Sequence, residues 1–224
     1  MDDGPDSVGM SLAMLRDSKR QGVELVCSTS HFYADTEDPA SFLARRREAY
    51  EELCAAMDGS DDYPEIRLGA EVLYFPGISV AGEIRSLRLE GTPFLLIEPP
   101  MVAWSDAMLD EIEQCGGSLN SIPVLAHIDR YMRVLQDYTL FERVRDRKML
   151  VQVNASFFLH RDTRDFALQS LYEGRFQFIG SDCHDLNMRC PNMGAAVDLI
   201  YEAGLGGVYA GFLQRQNRVF GRRG

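Results

Sequence analysis

Six polar residues suited to holding divalent ions stand at the ends of short β-type runs. His31 follows the run at 23–28, Glu71 lies within 66–73, and Glu98 follows 93–97. His127 follows 122–126, and Asp182 and His184 follow 176–180. Imidazole nitrogen and carboxylate oxygen together suit Mn²⁺, Fe²⁺ or Zn²⁺, and a set without thiolates argues against a structural zinc site. A carboxylate such as Glu71 can bridge two ions. Ions a few ångströms apart polarise a phosphoryl oxygen and generate hydroxide at neutral pH. Each residue alone has a plainer explanation: a hydrogen-bonded strand-end histidine, a salt-bridged glutamate, an Asx turn at Asp182. Together they are harder to dismiss, because the chain has four histidines and three of them fall at these strand ends. The fourth, His160, lies in a loop-to-helix stretch and is expected to be solvated. Arg130 follows His127 by three residues and Arg189 follows His184 by five. Their planar forks match a phosphate, although a surface arginine without a role is the ordinary alternative for Arg189.

The elements that must position these residues alternate. The run at 149–153 completes a set of six apolar stretches, separated by helical patterns. Ser7 is a plausible cap for a helix through Arg20, stopped at Gly22. Pro39 opens a helix over 39–57, ended by Gly59. Further helices are expected over 106–115, 139–147, 165–172, 193–203 and 208–216. Alternation of this kind implies a parallel sheet. A closed or nearly closed barrel fits better than an open dinucleotide-binding sheet, since no GxGxxG follows the first run and the glycines at 204–207 come too late. In a βα barrel the C-terminal strand ends share one face, which carries the active site.

Bulk properties narrow the class. A chain of 224 residues with 46% hydrophobic residues fits one domain, 1–224, with a real core. No apolar run reaches membrane-spanning length, so no membrane insertion is expected. Residues 1–6 lack the basic and apolar stretches of a signal peptide, so the cytoplasm is the expected compartment. The net charge of −11 disfavours nucleic acid and anionic lipid as partners. A small phosphorylated group remains admissible, because bound ions supply local positive charge. The five cysteines are odd in number and form no CxxC pair, so reduced thiols are expected. Cys183 and Arg189 have Cys-x5-Arg spacing, but two candidate metal ligands flank Cys183, and a cysteine nucleophile is unsupported.

At this point a resemblance enters. The stretches Asp2-Asp3-Gly4-Pro5-Asp6-Ser7, Ser28-Thr29-Ser30-His31, Gly69-Ala70-Glu71, Leu96-Ile97-Glu98, Ala126-His127-Ile128-Asp129-Arg130-Tyr131 and Ser181-Asp182-Cys183-His184 run in order through most of the chain. The sequence resembles the bacterial manganese-dependent protein-tyrosine phosphatases of the polymerase-and-histidinol-phosphatase (PHP) superfamily, which act in capsule and exopolysaccharide regulation. The resemblance implies a distorted (βα)7 TIM-like barrel holding three ions. One would take Glu71, Glu98 and His127, and a second Asp3, His31 and His184. A third would take Glu71 and Asp182 together with a His-x-His pair from the first strand. That pair precedes Asp-Asp-Gly-Pro in the family pattern, whereas this chain starts at Met1. A truncated start is the favoured expectation, and the barrel then lacks its first strand.

The implied activity is hydrolysis of phosphotyrosine on a tyrosine autokinase, with Mn²⁺ and with Fe²⁺ or Zn²⁺ as possible substitutes. Arg130 and Arg189 would hold the phosphate, while Asp182 or His184 would orient the nucleophile or protonate the leaving phenolate. Two alternatives stay open. One is a small-metabolite phosphatase, such as one acting on histidinol phosphate. The other is a non-catalytic phosphotyrosine-binding module, if the His-x-His pair is truly absent.

Overall fold

Two breaks in otherwise continuous apolar runs shape the N-terminal half. In the computed structural model, which describes residues 3–221, β1 (Leu25–Ser28) stops at Thr29 and the chain re-enters a sheet as β2 (His31–Phe32). Likewise β3 (Glu65–Leu68) stops at Gly69 and resumes as β4 (Glu71–Leu73), so the single strand expected over 66–73 is two. At the second break the chain is close-packed, and a Cβ at Gly69 would lie 3.1 Å from the side chains of both Leu89 and Thr29. Pairing survives both breaks. Gly69 N donates to Ser28 O at 2.8 Å and Glu71 N to Ser30 O at 3.0 Å. The result is a two-stranded sheet, β1–β3, leading into a six-stranded one.

The larger sheet runs β2-β4-β5-β6-β7-β8, with β5 at Phe94–Glu98, β6 at Ile122–Leu125, β7 at Leu150–Asn154 and β8 at Phe178–Gly180. Every pair in it is parallel. A parallel sheet is covered on both faces, which is why its strands read as apolar runs rather than alternating ones. The twist of successive strands curls it into a half-barrel, the expected fold class. Among the described residues no pairing joins β8 back to β1 or β2.

Helices bring the chain back after each strand. Ser7 caps α1 (Val8–Arg20) by accepting from Met10 N, and Asp38 caps α2 (Pro39–Ala56), whose first residue is the expected proline. Two 3₁₀ helices, Ile78–Val80 and Gly82–Leu87, precede β5. Then come α3 (Asp106–Ser118), α4 (Ile128–Leu135), α5 (Leu140–Val144), α6 (Ser156–Leu159), α7 (Arg164–Glu173), α8 (Met193–Glu202) and α9 (Gly206–Val219). Sequence reasoning missed α4 and α6. Both start within three residues of a strand end, are a few turns long at most, and carry too few residues for periodicity to register. The core lies between sheet and helices. Val72, Leu95, Ile97, Leu125 and Val153 are fully buried from the strands, and Phe42, Leu109, Ile112, Phe157 and Ile200 meet them from the helices. Each such side chain contributes about 1.5–3 kcal/mol.

Candidate metal centre and phosphate site

The candidate ligands meet on one face, at the first residues of β2 and β4 and at or just after the C-terminal ends of β5, β6 and β8. Register makes this meeting unavoidable. His31 of β2 stands opposite Glu71 of β4, and Glu98 closes β5 beside Leu73. His127 follows β6, and Asp182 and His184 follow β8.

Glu71, Glu98 and His127 form the inner part. His127 Nε2 donates to Glu71 Oε1 at 2.8 Å and lies 3.5 Å from Glu98 Oε1. His31 Nδ1 is 3.8 Å from Glu98 Oε2. Ligand atoms of His31, Glu71 and Glu98 lie within 4.8 Å of one another. Burial pushes the Glu98 carboxyl above its ordinary value, and the charge of Glu71 adds to that, against His127, His31 and Arg130. Two carboxylates crowded into a half-dry place are short of positive charge, and a divalent ion would supply it.

Asp3, His31 and His184 form the outer part, again with ligand atoms within 4.8 Å of one another. Asp3 Oδ1 is 3.5 Å from His31 Nε2 and 3.3 Å from His184 Nε2. His184 is oriented for ligation: its Nδ1 donates to the Asp182 carbonyl oxygen at 3.0 Å. A carbonyl only accepts, so in the neutral ring the proton sits on Nδ1 and the Nε2 lone pair faces the cluster. The donor set therefore fits divalent ions at both parts. His31 stands between them, with one ring nitrogen toward each.

Beside the ligands lies a cationic clamp. Arg130 Nη2 pairs closely with Asp182 Oδ2, and Arg130 Nη1 reaches Glu98 Oε1 at 3.5 Å. Arg189 Nη2 donates to Asp182 Oδ1 at 2.8 Å and Arg189 Nη1 to Asp3 Oδ2 at 3.2 Å. Asp182 thus lies between two guanidiniums. Burial pushes its carboxyl up, but Arg130 and Arg189 outweigh that and hold it below its ordinary value. Two of these residues take backbone conformations that L side chains rarely adopt, His127 at φ 29° and Asp182 at φ 52°. Such backbone costs on the order of 1–3 kcal/mol and persists where the surroundings impose it.

All of the sequence-derived candidates, Asp3, His31, Glu71, Glu98, His127, Arg130, Asp182, His184 and Arg189, come together on this face. Asp2, part of the first motif, lies outside the described residues. His160 stands apart from the ligands, exposed on the wall of the neighbouring cleft.

Sequence reasoning missed the supports. Asn154 Nδ2 donates to Asp182 Oδ2 at 3.0 Å, and Asn154 N donates to Asp129 Oδ1 at 2.8 Å. Asp129 is buried, and burial pushes its carboxyl up to about 6. Gln152 accepts from His127 N and donates to Asn154 Oδ1. It occupies space left by Gly180, where a Cβ would lie 2.8 Å from Gln152 Nε2. Asn154 carried the same strand-end signal as the ligands. Gln152 carried none, because a mid-strand glutamine reads as a surface residue.

A parallel half-barrel with imidazoles, carboxylates and paired arginines at its strand ends has the architecture of a metal-dependent hydrolase. The chain belongs to the capsular polysaccharide synthesis CpsB/CapC family, which it matches over residues 1–218. It is 27% identical over 218 residues to tyrosine-protein phosphatase CpsB of Streptococcus agalactiae, covering 89% of this chain and 85% of that one. Against CpsB of Streptococcus pneumoniae it is 29% identical over 220 residues, with the same coverage. Against tyrosine-protein phosphatase YwqE of Bacillus subtilis it is 22% identical over 198 residues, covering 84% and 75%. The fold is similar to that in the crystal structures of YwqE from Bacillus subtilis and CpsB from Streptococcus pneumoniae, described as unique metal-dependent tyrosine phosphatases. The TM-score is 0.82 at 20% identity, over 100% of this chain and 91% of the other.

Proposed function

We propose that this chain, read as one domain over 1–224, is a metal-dependent protein-tyrosine phosphatase. Its substrate is phosphotyrosine on a tyrosine autokinase that controls capsule or exopolysaccharide synthesis, in the cytoplasm. One observation carries the reading: two groups of metal-ligand atoms share His31 and lie beside two arginines that converge on Asp182. Asp3, His31 and His184 would hold one ion and Glu71, Glu98 and His127 another, and Mn²⁺ suits this oxygen–nitrogen set. Bound ions supply charge neutralisation at the phosphoryl oxygens and acidify water.

The chain's own residues do the rest. Arg130 and Arg189 take phosphate oxygens through their forks, and this electrostatic stabilisation is in place before reaction. Asp182 accepts from both guanidiniums and from Asn154, and so keeps the forks aimed at the site. His184, tied by Nδ1 to the backbone, keeps its Nε2 toward the ligand group. Gln152, bonded to His127 N, holds the strained turn that carries His127.

The test compares Mn²⁺-loaded protein on a phosphotyrosine peptide, the matching phosphoserine peptide and histidinol phosphate, with elemental analysis of the same sample. The expected result is about two ions per chain, with turnover of the phosphotyrosine peptide far above the other two substrates. Preference for histidinol phosphate would reassign the protein to metabolite hydrolysis. Binding of the phosphotyrosine peptide without turnover would make it a binding module.

A further inference from the structure

A cleft of about 730 Å³ begins at the arginine clamp and leads away from the ligand cluster. Arg130, Asp182 and Arg189 form its inner end. Its walls also carry Arg133 and Val134 of α4, Tyr138 and Met188, with His160 and Asp162. Among mostly polar lining residues three apolar side chains are open to solvent: Met188 is 91% exposed, Val134 59% and Tyr138 41%. Exposed apolar side chains that line one cleft offer contact area to a ligand seated in it.

Arg133 differs from the arginines around it. It lies one helical turn beyond Arg130 on the same face of α4. Arg130 and Arg189 are both ion-paired, whereas no carboxylate among the described residues lies within 4.0 Å of Arg133. Asp162 lines the same cleft, but Arg133 is exposed and makes no ion pair among the described residues, so its guanidinium can meet an incoming carboxylate without giving up a partner. Screening limits longer-range repulsion to about 8 Å at physiological ionic strength, so an acidic segment seated there meets mainly the cleft's own charges.

We propose that Arg133, Val134, Tyr138 and Met188 form a subsite for the polypeptide flanking the phosphotyrosine. Arg133 pairs with an acidic residue of that polypeptide, and Val134, Tyr138 and Met188 pack against an apolar neighbour. This rests on the phosphotyrosine reading above and adds a sequence preference to it. The open rim lets a chain enter and leave, which a small metabolite would not require.

The experiment uses the Mn²⁺-loaded full chain and two phosphotyrosine peptides that differ only in glutamates flanking the phosphotyrosine, replaced by glutamines in the second. The wild-type protein is expected to favour the acidic peptide about threefold in kcat/KM, the order given by a partly exposed ion pair, and through KM. The preference should shrink as salt is raised. Arg133→Glu, a substitution at an exposed position, should reverse the preference. Met188→Ala should raise KM for both peptides alike. Equal kcat/KM for the two peptides in the wild type, or a preference unchanged by Arg133→Glu, would overturn the subsite while leaving the phosphatase standing. Failure of the wild type to hydrolyse either peptide or p-nitrophenyl phosphate would instead overturn the reading beneath it.

Discussion

The inner and outer halves of the candidate metal centre use the same chemistry but are built differently. Glu71 opens β4, Glu98 closes β5 and His127 follows β6, three adjacent central strands, with side chains 9%, 14% and 2% exposed. The sheet register that buries Val72, Ile97 and Leu125 fixes their positions. Asp3, His31 and His184 come from segments far apart in the chain, and the Asp3 side chain is 55% exposed. The inner half is held by the core, while the outer half is held largely by the charges within it. The arginines divide in the same way: Arg130 reaches from Asp182 to Glu98, and Arg189 from Asp182 to Asp3. A buried carboxylate pair needs its ion more, because its alternative is uncompensated charge in low dielectric. An exposed set can exchange its ion for water at little cost. The difference predicts one tightly held position and one that exchanges.

Removing charge from the inner half is the strongest way to break this comparison. Glu71→Gln keeps the shape and loses the charge, and kcat/KM on a phosphotyrosine peptide should fall by about 1,000-fold, the order for losing one preorganised electrostatic group. Elemental analysis should show the loss of the more tightly held ion. Retention of both ions would show that the inner half does not depend on Glu71.

Next in size is Arg130→Lys, which keeps a cation and removes the fork. The expected fall in kcat/KM is roughly 10–1,000-fold, about 1.4–4 kcal/mol, with metal content unchanged. Unaltered kinetics would leave Arg130 as a structural partner of Asp182 and Glu98.

The smallest effect sharpens the comparison. Asp3→Asn should lower activity about 10-fold at limiting Mn²⁺, with excess metal restoring most of it, since the exposed half binds by mass action. Chelator titration of the wild type should show two phases, and Asp3→Asn should weaken only the first. A single phase in both proteins would mean that the halves bind their ions as one unit.

Much of this molecule was legible one residue at a time. Strand-forming apolar runs, five of the six with an imidazole or carboxylate within or just after them, implied a parallel sheet with a polar face, because burial on both faces favours such runs. The helix cap at Ser7 and the proline start of α2 follow from local hydrogen bonding and fixed φ, which sequence encodes directly. Ligand types at strand ends, and arginines close behind them, were likewise written in the order of residues.

Other features were decided only in three dimensions. At the break between β3 and β4, Leu89 and Thr29 crowd Gly69 from other parts of the chain. The pairing of Arg130 and Arg189 on a single carboxylate arises across separations of 52 and 7 residues. Gln152 and Asn154 became supports because β7 lies between β6 and β8, which no local pattern states. The cleft beyond the clamp exists because α4 and the loop after β8 face each other across a gap. Sequence determined which groups were available and the local geometry each could adopt. Tertiary packing decided which of them share a few ångströms, because contact between distant residues is set by the sheet register and by the volume of the side chains that fill the core.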